Sequence, residues 1–269
     1  MIDPCMINKK ITVVTVCYNA ADRIEQTIIS VLNQTYDNIE YIIIDGGSTD
    51  GTVDIIRRYS DCITYWVSEK DGGIYDAMNK GISIATGQYI NFMNAGDTFY
   101  SSETLKILAG RIDNNAIIIY GDCNVKFRGS VVHKKPLKID YLNTKLPFCH
   151  QSMLVDVSFH KKHLYSTKLK IASDYKFVYD AYYKNNVKLQ YIPITVSTFD
   201  STDGVSSHNF ITSMNEKFEI WGIENNFIYK FPWYFATLRM YLSLYVRRCI
   251  PTIATVFIRK FTDSLRSHQ

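Results

Sequence analysis

Short apolar runs and helical stripes alternate through the first hundred residues and predict a strand–helix–strand order. Residues 11–17 (ITVVTVC) are a β-branched run of the kind found in strands buried on both faces. Ile24, Ile28, Val31 and Leu32 then recur at helical spacing, with Asp22 placed to cap the helix start and the signal fading near Thr35. Residues 40–45 (EYIIID) predict a second strand, which ends in Gly46-Gly47. A helix carrying Val53, Ile55 and Ile56 follows, then a strand near 63–67, a helix over 74–85 stopped by Thr86-Gly87, and a strand at 89–93. Such alternation with short connections predicts an α/β fold, a mostly parallel Rossmann-like sheet flanked by helices.

After Asp97 the pattern becomes mixed. A helix around 103–109 precedes strands at 116–120, 124–127 and 130–133, then a polar loop to Leu146. A helix over 174–183, a strand over 188–194 and a loop over 201–209 lead into an aromatic C-terminal stretch. No linker rich in Pro, Gly or Ser divides the chain before about residue 210. The expected organisation is therefore one main domain over 1–210, with the alternating part over 10–100 and the mixed part over 101–210. A helical extension over 211–269 completes it.

Composition narrows the class. With 46% hydrophobic and 21% charged residues the chain reads as an ordinary soluble globular protein. Its start, MIDPCMINKK, shows no secretory signal. The six cysteines lack C-x-x-C pairs; Cys17, Cys62 and Cys149 sit in or beside apolar runs, and buried reduced thiols are expected. Charge is uneven: from Lys230 onward seven Lys/Arg face one acid, Asp263, so the basic character belongs to the tail. That tail holds Phe231, Trp233, Tyr234, Phe235, Leu238 and Tyr241 with Arg239, Arg247 and Arg248 between apolar runs, and Pro251 divides it. No stretch approaches the ~20 apolar residues of a spanning helix. A helix pair over 231–266 lying in a bilayer interface, or packing on the main domain or a second copy in a homodimer, fits better. Nucleic acid is not an expected partner.

The chemistry sits at the predicted strand ends, where open α/β sheets bind ligands. These ends read Tyr18-Asn19, Asp45-Gly46-Gly47-Ser48, Ser68-Glu69-Lys70-Asp71 and Asn94-Ala95-Gly96-Asp97. Each alone suits a turn or a helix cap. Four in order place carboxylates, amides and glycines on one rim that can hold a base, a ribose and a cation-neutralised diphosphate.

VTVCYNA, IIIDGGSTDGT, SEKDGGIYDAMNKGI and GQYINFMNAGD resemble the successive motifs of family 2 glycosyltransferases with the GT-A fold, similar to bacterial enzymes of the colanic-acid type that build surface polysaccharides. The resemblance covers residues 10–100 most fully and extends more loosely to 207. It implies a nucleotide-diphosphate sugar donor, UDP-linked as is commonest in the family, an inverting transfer, and Mn²⁺ or Mg²⁺ as cofactor. Asp45 matches the first acid of the family's D-D-G-S motif, the base- or ribose-binding carboxylate, and Gly46 stands at the second. Thr15, Tyr18 and Asn19 would line the base pocket, partly through backbone atoms, with Lys70 and Asp71 among the donor-binding groups. Met78 replaces the arginine of the A-R-N-x-G segment, so the phosphate contact falls to Lys70 or Lys80. The D-x-D-D metal motif reads Asn94-Ala95-Gly96-Asp97, which leaves Asp97 as the metal carboxylate.

Asp174, at the start of a helix, matches the family's catalytic base, and Asp180 on another face reads as a solvated surface acid. His150 and Gln151 match the H-Q segment near the acceptor cleft. Ser206 lies in the loop that closes over the donor, and His208 just beyond it can approach the diphosphate or the metal. His133, His160, His163 and His268 belong to no constellation, and surface positions are expected. The acceptor implied is a saccharide, lipid-linked, at the cytoplasmic face of the cell membrane. Two other readings stay open. A sugar nucleotidyltransferase would carry a Gly- and Lys/Arg-rich phosphate loop where this chain has Tyr18-Asn19-Ala20-Ala21. A non-catalytic membrane-associated binding protein that kept the fold is favoured only by the reduced metal motif. No G-x-G-x-x-G follows the first strand, which disfavours a dehydrogenase.

Overall fold

The structure, a computed structural model, describes residues 9–127, 129–201 and 210–223. Ser206, His208, His268 and the whole of 231–266 lie outside the described residues. The chain divides after Glu216 into two compact units. The first holds every element below except the end of the last helix.

The predicted first half forms as read: β1 (Ile11–Cys17), α1 (Ile24–Leu32), β2 (Ile39–Asp45), α2 (Thr52–Arg58), β3 (Tyr65–Ser68), α3 (Ile74–Ile84) and β4 (Tyr89–Phe92). β1 pairs in parallel with β2 and β4, and β2 with β3. Every residue of β1 is buried; five of its seven side chains are apolar, and the Thr12 and Thr15 hydroxyls donate to Glu40 and to the Met93 carbonyl. Asp22 does not cap α1. The helix starts at Ile24 after Arg23, and the Asp22 carboxylate pairs with Arg23 instead at 3.0 Å.

The second half departs from the reading. It comprises β5 (Thr98–Phe99), α4 (Thr104–Ala109), β6 (Ile118–Phe127), β7 (Ser130–Lys134), β8 (Met153–Asp156), α5 (Val157–Lys162), α6 (Ser173–Tyr183), β9 (Leu189–Asp200) and α7 (Phe210–Ile220). The sheet order is β3-β2-β1-β4-β8-β6-β9-β5, with β7 also on β6. β8, absent from the sequence reading, inserts antiparallel between β4 and β6. The strands expected at 116–120 and 124–127 are one strand. Gly121 joins them where the β6–β9 register shifts, because a Cβ there would lie 2.6 Å from Val196 Cγ2 and 2.7 Å from the Ile194 carbonyl. β9 runs to Asp200 rather than ending at 194, which carries the sheet to the mouth of the cleft described below.

Three expectations about single residues are corrected. Cys123 and Cys149 are joined in a disulfide, because β6 and the segment before β8 bring their Cα atoms to 6.5 Å. Cys62 is exposed while Cys17 is buried. His160 is fully buried, stacked on Phe177 at 4.2 Å, and burial pushes its pKa down to about 3. Asp180 is not free in solvent but lies half-buried between Lys176 and Lys184. His133 stays exposed, yet it pairs with the buried Asp122 at 3.0 Å.

The foot of the sheet is tied by a buried acid. Glu40 accepts from Lys10 Nζ (3.0 Å), Thr12 Oγ1 (2.6 Å), the Thr86 amide (2.7 Å) and the Thr86 hydroxyl. Beside it Gly87 is obligatory, since a Cβ would meet Thr12 Oγ1 at 2.5 Å and the Lys10 carbonyl at 2.8 Å.

Candidate active site

At the opposite end of the same strands a cleft of about 670 Å³ opens. Asn94, Ala95, Gly96 and Asp97 line it together with His150, Gln151 and Asp174. Seven of the residues singled out in the sequence thus meet in one place, from positions up to 80 residues apart in the chain.

The Asn94–Asp97 turn follows β4. Ala95 N–H bonds the Val16 carbonyl (3.2 Å), the Asp97 amide closes the turn onto Asn94 (2.9 Å), and Gly96 adopts a left-handed φ of 102°. Thr27 on α1 fixes it from below, accepting from the Gly96 amide (2.9 Å) and donating to the Asp97 carbonyl (2.8 Å). Asp97 is only 8% exposed. Burial pushes its carboxyl up to about 7; the Gln151 hydrogen bond opposes this and the charge of Asp200 adds to it. Nearby, Asn94 Oδ1 is buried and has no partner among the described residues. A high-pKa carboxylate and an orphaned amide oxygen on one turn are hard oxygen ligands lacking a positive charge, so these residues fit a divalent cation. Among the described residues no group of three His, Cys, Asp or Glu is placed to hold a cation alone. Such an ion would therefore rely on water and substrate oxygens for its other ligands.

Asp174 sits in the first turn of α6, with Oδ1 accepting from the Tyr175 amide (2.8 Å) and from Tyr75 Oη on α3 (3.2 Å). Tyr75 also donates to the Ile171 carbonyl (2.6 Å), which ties α3 to the turn that presents Asp174. The segment before α6 is held by a residue the sequence reading missed. Glu216 accepts from the backbone amides of Lys170 (2.7 Å), Ile171 (3.0 Å) and Ala172 (2.8 Å). It lies on α7, 42 residues beyond Asp174, and no local pattern announces it. His150 is buried, bonds Tyr165 Oη at 2.9 Å and stacks on Phe92. Burial pushes its pKa down against the opposing charge of Asp174, so it works as a neutral ring.

The neighbouring rim, at the ends of β1 to β3, gathers the remaining candidates. Tyr18 is 66% exposed, and Asn19, with φ 46°, ties the β1 and β2 loops by accepting from the Thr49 amide (2.9 Å). Asp45 is fully buried and faces inward. It accepts from the Gly47 and Ser48 amides (3.1 and 2.9 Å), Ser68 Oγ (2.6 Å), Ser48 Oγ and Cys17 Sγ. Burial opposes its charge, but the Ser48 and Ser68 donors outweigh burial and hold the carboxyl below the usual range. Its side chain therefore shapes the loop and has no free oxygen to offer a base. Thr15 is likewise buried, with its hydroxyl on the Met93 carbonyl at 2.8 Å. Neither side chain is exposed, so any part Thr15 takes in a base pocket falls to its backbone atoms.

The carboxylate facing that rim is Asp71. A Cβ built on Gly46 would lie 2.7 Å from Asp71 Oδ2 and 3.4 Å from the Tyr18 ring, so Asp71 fills the space a side chain at 46 would take. Asp71 Oδ1 accepts from the Gly73 amide (2.9 Å). Lys70 is exposed beside Gly47, and Lys80 is committed to Glu69 at 2.7 Å. Met78 is buried in the cleft lining; among the described residues the cations that line the cleft are Arg23 and Lys170, neither flagged by a motif.

A parallel sheet with an antiparallel insert, carrying turn-borne carboxylates at its strand ends, is the architecture of GT-A sugar transferases, and comparison with known proteins bears this out. Residues 12–183 match glycosyl transferase family 2, and the chain belongs to that family. It is 26% identical over 205 residues to a PGL/p-HBAD biosynthesis glycosyltransferase of Mycobacterium bovis, covering 70% of this chain and 76% of that one. An uncharacterized glycosyltransferase of Mycobacterium tuberculosis is 42% identical over 90 residues, 33% of this chain and 34% of its own. In fold the chain resembles S. aureus TarS 1-349 in complex with UDP-GlcNAc (TM-score 0.65, 19% identity, 78% of this chain and 64% of that one). It also resembles a mannosyltransferase from Pyrobaculum calidifontis in complex with GDP-Man and Mn²⁺ (TM-score 0.63, 16% identity, 96% and 81%). Among the described residues no helix is long and apolar enough to cross a membrane.

Proposed function

We propose that the protein is an inverting hexosyltransferase that moves a sugar from a nucleoside diphosphate donor to a hydroxyl of a lipid-linked saccharide, in surface polysaccharide synthesis at the cytoplasmic face of the membrane. The observation that carries the reading is the cleft itself, whose lining brings the Asn94–Asp97 turn and Asp174 into one cavity. That arrangement suits a single displacement. Asp174 takes the proton from the acceptor hydroxyl as its oxygen bonds the anomeric carbon. On the opposite face of that carbon the bond to the diphosphate breaks, and its electron pair leaves with the nucleoside diphosphate. Inversion follows from the one attack.

Asp97 and Asn94 Oδ1 would hold Mg²⁺ or Mn²⁺, whose charge neutralises the departing diphosphate. Arg23 and Lys170 line the same cleft and would contact phosphate oxygens. For the base, Tyr18 offers an exposed ring for stacking, and Asp71 a carboxylate where Gly46 leaves room. A carboxylate there accepts from a ring N–H, which uracil and guanine carry at their pairing edge and cytosine and adenine do not. Donors linked to UDP or GDP fit that edge, and UDP is the commoner in the family. The basic aromatic residues 231–266 suit docking at the bilayer where a lipid-linked acceptor resides.

A panel of nucleotide sugars with Mn²⁺, scored for nucleoside diphosphate release with and without a lipid-linked saccharide, tests the reading. Release from a UDP or GDP sugar that is abolished in Asp97→Ala is the expected result. Release that persists in EDTA would remove the cation from the account. No release from any donor that nevertheless binds would point to a binding protein without turnover.

A further inference from the structure

β6 and β7 form an arm whose surface is unlike the rest of the described rim. Beyond the short β8, β7 takes over the edge of β6, pairing from Cys123↔Lys134 to Phe127↔Ser130. All five residues of β7 are exposed. Phe127, Val131 and Val132 are 49%, 56% and 53% exposed at its tip, and Leu137 and Tyr141 continue the apolar surface past its end. Around them stand Lys126, Lys134, Lys135, Lys138 and Lys145, all exposed, against two exposed carboxylates, Asp140 and Asp200, the latter opposite Lys126 in the β6–β9 register. None of these five lysines makes an ion pair among the described residues, whereas Lys106, Lys176, Lys184 and Lys188 each have an acidic partner.

Lysines on an edge strand can serve only to keep other strands from pairing with it. That explains Lys134 but not the aliphatic and aromatic side chains between the lysines, which a purely protective edge would replace with polar ones. Exposed apolar side chains ringed by ammonium groups that have no ion-pair partner among the described residues, Lys145 lying over the Tyr141 ring at 5.6 Å, match the boundary layer of an anionic bilayer. The apolar tip enters among the head groups, and the ammonium groups meet lipid phosphates while their stems lie on the apolar surface. We propose that the β6–β7 hairpin is a membrane-contacting arm whose partner is an anionic lipid surface. It is a second contact, separate from residues 231–266.

Its place in the sheet gives the contact a use. Directly paired residues share a face, so Val125, Val132 and Phe199 lie on one side of the sheet, and Phe199 lines the cleft. Cys123, two residues before Val125 and hence on the same face, is bonded to Cys149 in the cleft wall. The face that borders the cleft therefore runs out along β6 to the arm, and docking through the arm holds the cleft beside the bilayer.

The test is partitioning of the full chain onto phosphatidylcholine vesicles with and without phosphatidylglycerol. Binding is expected only to the anionic vesicles and should weaken with salt. It should fall roughly a hundredfold in the triple variant Lys126→Gln, Lys134→Gln, Lys135→Gln, at about fivefold per lysine. Val131→Asp with Val132→Asp, exposed and so tolerated by the fold, should weaken it too. A Phe127→Trp variant reports the arm alone, and its added emission should shift to the blue on anionic vesicles. Parent-like partitioning of the charge variants, an unmoved emission from Phe127→Trp, or no preference for anionic vesicles would each overturn the proposal. The first two results would leave residues 231–266 to account for any binding.

Discussion

Glu40 and Asp97 are buried to nearly the same degree, 5% and 8% exposed, and their carboxyls are shifted in opposite directions, down to about 2 and up to about 7. Burial penalises charge at both. The difference is in the donors. Glu40, at the foot of the sheet, is met by Thr12, Thr86 and Lys10, which outweigh the burial; Asp97, at the rim, has Gln151 and the repulsion of Asp200. The foot is a finished hydrogen-bond network that holds β1, β2 and the turn before β4 together. The rim keeps an acid short of positive charge, with an orphaned Asn94 oxygen beside it. One end of the same strands is a satisfied network, and the other leaves an acid and an amide oxygen unsatisfied, as the proposed cation site requires.

The contrast predicts a division of mutant phenotypes. Asp174→Asn, at the rim, should lower kcat by about 10³-fold with little change in Tm, since it removes a proton acceptor and keeps the shape. A matching loss of Tm would show that Asp174 is only structural. Glu40→Ala should do the reverse, costing about 3 kcal/mol by stranding the Lys10, Thr12 and Thr86 donors, with kcat unchanged in the folded fraction. Denaturant titration measures it. Because the Glu40 carboxyl is depressed on folding, its contribution is present above its unfolded pKa and is lost as pH falls toward about 2.

Glu216→Ala sharpens the rim itself. Freeing the amides of residues 170–172 should let Asp174 drift and lower kcat by about 10- to 100-fold. Glu216→Gln, which keeps an acceptor, should restore part of that loss; equal activity of both variants with the parent would refute the positioning role. The smallest effect is expected from Asp97→Asn in EDTA. The Asp97 carboxyl is raised on folding, so its charge costs stability at pH 8, and the cost falls as pH drops through about 7 toward the unfolded value. The variant should therefore melt about 4 °C higher than the parent at pH 8, and the gap should shrink at pH 5. A gap that does not change with pH would contradict the shift.

The parallel half of the fold was legible because each of its strands is a contiguous apolar run ending in turn residues, and each helix carries its own stripe. β8 was not, since a four-residue strand has no periodicity of its own and its pairing to β4 and β6 is decided by contacts across the chain. The site was legible in position but not in detail. The motif order placed Asn94–Asp97 and Asp174, and the cleft joins them. The inward turn of Asp45 was hidden, because its ligands are backbone amides and hydroxyls whose positions depend on the loop closing. The role of Asp71 was named only as donor-binding; that it fills the gap over Gly46 is a fact of space. Glu216 and the Cys123–Cys149 bond join segments that sequence spacing does not relate.

The account rests on a cation-dependent donor site at the rim, and calorimetric titration of UDP and GDP against the full chain, in Mn²⁺ and in EDTA, tests it most directly. One of the two nucleotides should bind at least about tenfold more tightly with Mn²⁺, a coupling of roughly 1.4 kcal/mol that disappears in Asp97→Asn. Equal affinity in Mn²⁺ and EDTA, or a coupling that survives Asp97→Asn, would contradict it.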